Sequence, residues 1–139
     1  MAIPYLMRLA RGSYGERSRA LLAQAGFDDL PRNAGFILAG LVAGQRPLSS
    51  IVDELFVSTP TASAMVDTLV IRGYVERRAD PEDPRQAAVR LTDRGRAAAD
   101  TIQTAVDQID AELEARLSSD QLAGLRAGLA ALHDIRQAA

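Results

Sequence analysis

Two short stretches of the chain carry polar side chains whose types and spacing suit contact with a polyanion. The first, STPTASA at 58–64, offers the hydroxyls of Ser58, Thr59, Thr61 and Ser63 beside the small apolar surfaces of Pro60 and Ala64. A hydroxyl can bond a phosphate oxygen or a base edge, and a small apolar group fits against a thymine methyl. The second, DPEDPRQ at 80–86, sets Arg85 behind two prolines and three acids. Arginine presents a planar fork of donors that matches phosphates and base edges. Pro81 and Pro84 restrict the unfolded loop, so ordering the tip costs little. Asp83, two residues before Arg85, is spaced to accept from its guanidinium and fix its direction. Tips rich in proline and aspartate are also ordinary solvated turns, so this stretch does not decide the matter alone.

Other chemistries lack their residues. The chain has no cysteine, which removes disulfides, thiolate metal sites and thiol redox sensing. One histidine, His133, cannot build a multi-histidine metal site. No glycine-rich phosphate loop and no nucleophile–base pair is present, so no catalysis, metal or cofactor is expected. The formal charge of −2 argues weakly against nucleic acid, yet the charge is unevenly spread. Residues 48–71 hold three acids and no base, whereas residues 72–96 hold seven arginines against five acids. Every base is arginine. No apolar run approaches the roughly 18 residues of a membrane span, and no signal peptide is read, so a cytoplasmic location and no membrane partner are expected.

The length of 139 residues suits one domain with a core of Leu, Ile, Val and Ala. Helical periodicity runs over 3–24, with Gly12 and Gly15 allowing a kink or break. GFDDLP then forms a turn in which Asp28 or Asp29 can cap a helix that has Pro31 in its first turn and runs to about residue 42. AGQRP ends that helix. LSSIVDEL places Leu48, Ile51, Val52 and Leu55 on one helical face, and FVS is a tight turn. The next helix has Thr59 or Ser58 as cap, Pro60 in its first turn and Gly73 beyond its end. Its apolar face is Ala62, Met65, Val66 and Leu69, and its opposite face is Thr59, Pro60, Ser63, Ala64 and Asp67. YVERRA and AAVRLT read as strands either side of the Arg85 tip, and Asp93 or Thr92 opens a long helix. Two leucine-rich seams follow, Ile102–Val106–Ile109–Leu113–Leu117 and Leu122–Leu125–Leu129–Leu132, separated by LSSDQ.

Two short helices joined by a tight turn, followed at once by a hairpin, make a winged helix-turn-helix. The second helix of the pair can enter a DNA major groove by its N-terminal end, and the hairpin tip can reach the adjacent minor groove, which is wide enough for one arginine. Arg72, Arg77 and Arg78 are placed for phosphate contact or for bracing the wing. Asp67 lies on the open helix face, where it would repel phosphate, and Arg77 is its expected partner.

LSSIVDELFVSTPTASAMVDTLVIRGYVERRADPEDPRQAAVRLTDRG resembles the MarR family, the multiple-antibiotic-resistance type of winged-helix regulator. The join VDTL…RGYVERR at 66–78, D-P-R at 83–85 and LT-x-x-G at 91–95 carry most of the likeness. The resemblance implies a mainly α fold with a small β-hairpin wing. The DNA-binding part would span 29–95 and dimerisation helices 1–25 and 96–139, all within one 1–139 domain. It implies a homodimer, usually a repressor, on a pseudo-palindromic double-stranded operator, with release by a small aromatic or anionic effector. Mapped onto this chain, the contacts fall on Ser58, Thr59, Pro60, Thr61, Ser63, Ala64, Arg72, Arg78, Asp83 and Arg85. Tyr5, Tyr14, Arg11 and Arg17 are conceivable lining for an effector pocket but suit core or surface roles better. The two leucine seams are more than a lone winged domain needs, and packing of one on the other within the chain accounts for part of each. One departure stands out: relatives often carry Arg, Lys or Gln early in the recognition helix, and residues 47–71 here contain no base. Specificity is therefore expected to lean on Ser and Thr contacts, thymine methyls and groove shape, with weak or salt-sensitive binding. The alternative, from another class, is a winged-helix protein-interaction module that has lost operator binding.

Overall fold

Helical periodicity, a proline-primed helix start and a charged hairpin settle into six helices and a three-stranded sheet in a computed structural model describing residues Met1–Ala139. The elements are α1 (Ile3–Gln24), α2 (Ala34–Gly40), β1 (Arg46–Pro47), α3 (Leu48–Leu55), α4 (Thr59–Ile71), β2 (Val75–Ala79), β3 (Ala87–Leu91), α5 (Asp93–Glu114) and α6 (Ser119–Ala138). The sheet order is β1-β3-β2, both pairs antiparallel. The mainly helical winged-helix architecture expected from sequence is thus the one observed. No helix is long and apolar enough to cross a membrane.

Several boundaries differ from the sequence reading. α1 runs unbroken through Gly12 and Gly15, because 22 residues of otherwise good helix formers and its packing on α5 outweigh two glycines. α2 starts only at Ala34, after Asn33 in a left-handed conformation (φ 68°), and no side chain caps it. Pro31 therefore lies outside the helix, and neither Asp28 nor Asp29 is its cap. α2 also stops at Gly40. β1 falls within AGQRP, which the sequence marks only as the end of a helix. Its two residues carry no alternation signal, yet Arg46 pairs with Val89 and Pro47 with Ala88, on an edge where proline's missing N–H is tolerated.

The core lies where the winged part meets α5. Ile37, Leu38 and Leu41 of the α2 region, Ile51 of α3, and Val66 and Leu69 of α4 close on Val75, Val89, Ala98 and Ile102. Tyr74, fully buried at 0% exposure, sits among them. α1 lies along α5 and adds only Leu22 to this core. Tyr14 Oη donates to Asp110 at 2.6 Å, and Arg17 reaches Gln108 at 3.1 Å and Glu112 at 2.8 Å. Tyr14, Arg11 and Arg17 are thus tie residues between elements; Arg11 donates to Asn33 at 3.1 Å.

The seams do not close on each other as expected. α5 buries Ile102 and half-buries Val106 and Leu113, but no residue of α6 is buried and Leu125, Leu129 and Leu132 stay exposed. α6 is a well-made helix all the same. Ser118 and Gln121 form a reciprocal capping box, which satisfies two N-terminal backbone donors.

LT-x-x-G has a physical explanation. The Thr92 hydroxyl caps α5 by accepting from the Gly95 N–H at 3.1 Å and also donates to the Gly73 carbonyl at 2.5 Å. Gly95 lies against the Tyr74 carbonyl, and a Cβ there would overlap that oxygen. Gly95→Ala is therefore expected to lower stability by at least about 2 kcal/mol in urea unfolding, since both clashing groups are backbone-anchored. An unchanged midpoint would contradict this close approach.

Candidate nucleic-acid interface

The start of α4 is built by Ser58. Its Oγ accepts from the Thr61 N–H at 3.2 Å and lies 2.8 Å from Thr61 Oγ1, so both hydroxyls are engaged in capping. The Ala62 N–H bonds the Ser58 carbonyl at 3.0 Å, and Pro60 has no N–H to offer. Thr59, Pro60, Thr61 and Ala64 are exposed and Ser63 is half-buried, while Ala62, Val66 and Leu69 face the core. The chain therefore brings Ser58, Thr59, Pro60, Thr61, Ser63 and Ala64 to one accessible helix end. No charged side chain occupies the first turn.

Asp67 lies further along the open face, and its Oδ1 is 2.5 Å from Arg77 Nη2. This is the partner expected from sequence. Both groups are largely exposed, so the pair adds little stability. Its effect is geometric, tying β2 to the middle of α4. Glu76 on the same strand accepts from Arg90 Nε of β3 and from Arg78 at 3.3 Å. Those two guanidinium groups, Arg90 first, hold its carboxyl below the usual carboxylate range.

Residues 80–86 fold on their own aspartates. Asp80 Oδ1 accepts from the Glu82 N–H at 2.9 Å, and Asp83 Oδ1 accepts from the Arg85 N–H at 3.1 Å. The Gln86 N–H bonds the Asp83 carbonyl at 2.9 Å, and the Asp80 N–H bonds the Gln86 carbonyl at 3.1 Å. Asp83 was expected to hold the Arg85 guanidinium. It holds the backbone N–H instead, because a short side chain two residues earlier reaches its neighbour's amide more readily than the end of a long one. Arg85 is exposed and its guanidinium has no partner within the chain.

Arg72 is not brought to this surface. It caps the opposite end of α4, roughly 20 Å from Ser58 at 1.5 Å per residue, and donates to the Asp29 carbonyl. It belongs to a joint that sequence reasoning missed. The Tyr74 hydroxyl donates to Asp29 Oδ1, while Arg94 reaches Asp29 at 3.1 Å, Tyr74 Oη at 3.1 Å and the Arg72 carbonyl. The Arg94 guanidinium also lies 4.3 Å from the Tyr74 ring centroid. The bond from Tyr74, and then Arg94, holds the Asp29 carboxyl below its ordinary range. Burial, and then Asp29, pushes the Tyr74 phenol up to about 12. These partners are 20 to 65 residues apart, and no local pattern announces them.

A model of the MarR family matches residues 28–86. The fold is similar to that of S. aureus MepR in its DNA-binding conformation, with 21% identity over 96% of this chain and 98% of that one and a TM-score of 0.79. The S. aureus MepR–DNA complex gives 22% identity, coverage of 96% and 98%, and a TM-score of 0.77. Reduced MarR from E. coli gives 24%, 95% and 96%, and 0.71. No curated protein matches the chain. The likeness read from LSSIVDEL to LTDRG thus holds over its central part, and the solved structures extend the fold to nearly the full length.

The joint has a pH signature. Because the folded chain holds the Tyr74 proton more tightly than the unfolded chain, whose phenol titrates near 10, this contribution is complete below pH 10. It is lost as pH rises through 10 towards 12. Tyr74→Phe is expected to cost about 1 to 3 kcal/mol at neutral pH and to flatten that alkaline decline in chemical-denaturation curves. An identical decline in the variant would contradict the assignment.

Proposed function

We propose, for a chain that carries a MarR-family winged helix over residues 28–86, that it is a homodimeric regulator of transcription, acting as a repressor on a pseudo-palindromic double-stranded operator. The observation that carries the reading is the pairing of an uncovered α4 start with a stiff wing whose Arg85 guanidinium is unpartnered. α4 lies in the major groove through Thr59, Pro60, Thr61, Ser63 and Ala64, with Ser58 as the cap that orders them. Arg85 enters the neighbouring minor groove, Asp83 fixes its backbone, and Arg78 lies on the strand behind it for phosphate contact. The DNA complex of MepR, which shares the fold, supports this docking.

Dimerisation is supported by the apolar surface left uncovered on the outer helices. Ile3, Tyr5, Leu6 and Leu9 of α1 and Leu125, Leu129, Leu132 and Ile135 of α6 are all exposed, and clustered exposed apolar side chains mark association surfaces. A two-fold pair joined there sets the two α4 starts about 34 Å apart, one turn of the duplex. A small aromatic or anionic effector belongs to the reading through the family resemblance. A groove of about 280 Å³ lined by Leu113, Leu122, Leu125 and Tyr14 has apolar walls suited to an aromatic ligand, and its charged lining is Arg126 with the acids Asp110 and Glu114. The reading assigns the chain no catalytic role and no cofactor.

The base-free α4 favours one other reading, a winged-helix protein-interaction module. Selection of bound duplexes from a random pool at low salt separates the two: an enriched palindrome supports the regulator, and no enrichment supports the module. On an enriched site, Arg85→Ala is expected to weaken binding about tenfold or more and to lower the salt slope by about one, with the thermal midpoint unchanged. Equal affinities would remove the wing from the interface.

A further inference from the structure

Resting on that reading, we propose that α4 recognises its operator chiefly through the 5-methyl groups of thymines, with Pro60 and Ala64 as the residues that set specificity. Discrimination among base pairs in the major groove usually comes from paired hydrogen bonds, Arg or Lys to guanine and Asn or Gln to adenine. From Pro47 to Ile71 the chain contains no Arg, Lys, Asn, Gln or His. The polar groups that remain are few. Ser58 and Thr61 turn their hydroxyls to each other and to the helix cap. The Thr68 hydroxyl bonds the Ala64 carbonyl at 3.1 Å, and Asp67 is held by Arg77. On α4 Thr59 and Ser63 are left, and a rotating hydroxyl lacks the fixed bidentate geometry that tells one base pair from another.

What the helix end does present is apolar. The Pro60 ring, the Ala64 methyl and the methyl groups of Thr59 and Thr61 share the exposed start of α4. In the major groove the only apolar feature of the four base pairs is the thymine methyl. An end without side-chain cations releases few counterions from the phosphates, so that electrostatic term does not mask the methyl contacts.

The experiment uses the full-length protein and a duplex selected from random DNA. Deoxyuridine replaces thymine one position at a time, removing only the methyl. Under α4, each replaced thymine is expected to weaken binding about threefold to fivefold, the effect of one buried methyl. Under the wing the same replacement should leave affinity unchanged, because the methyl lies in the other groove. Ala64→Gly and Pro60→Ala, measured on thymine and uracil duplexes, should each shrink the thymine-to-uracil ratio towards one at a single position. Tight binding of the selected duplex with no uracil effect anywhere would overturn methyl readout while leaving the regulator intact. Failure to select any duplex would overturn both.

Discussion

The winged part is held together by the buried phenol of Tyr74 and the groups gathered around it. Asp29, from the segment before α2, accepts from the Tyr74 hydroxyl; Arg72 comes from the end of α4 and Arg94 from the first turn of α5. Gly95 lies on the Tyr74 carbonyl, and Thr92 closes the same turn onto Gly73. Four parts of the chain meet at one ring. The end of α4, the root of the wing and the start of α5 are therefore tied to one another through this joint.

The cluster of arginines at 72–96 takes on a different meaning once the partners are known. In sequence it reads as a basic patch. In the fold, Arg72 and Arg94 hold the Tyr74 joint, Arg77 holds Asp67, and Arg78 and Arg90 share Glu76. Most of the positive charge thus serves the shape of the wing and not its field. Arg85 and Arg96 keep free guanidinium groups, and at the wing tip the two nearby aspartates bond backbone N–H groups and not the Arg85 side chain. Asp80 and Asp83 stiffen the tip through backbone N–H groups and neither pairs with the Arg85 guanidinium, so its donors stay free although the tip as a whole is net negative.

Legibility in the sequence followed the range of the interaction. α4 was readable from Ser58, Pro60 and Gly73 because caps and breakers act within a few residues, and the alternation on either side of DPEDPRQ marked both wing strands. Asp67 and Arg77 were matched because one open helix face and one strand had few other partners to offer. Asp29 was misread as a cap. Its real partners, Tyr74 and Arg94, lie 45 and 65 residues away, and only the tertiary fold joins them. β1 escaped notice because two residues are too few for a period. The leucine seam of α6 was visible, but a seam does not say what covers it, and within one chain Leu122 is half-covered while Leu125, Leu129 and Leu132 stay exposed.

The central claim, that paired helix ends and wings address one face of a duplex, can be tested directly because the chain has no cysteine. Glu82→Cys, at the exposed tip beside Arg85, gives one site for a tethered iron–EDTA group whose hydroxyl radicals cut nearby DNA. On a selected duplex the account predicts two cleavage clusters related by a two-fold axis, one in the minor groove beside each half-site. A single cluster, or cleavage spread evenly along the duplex, would contradict it.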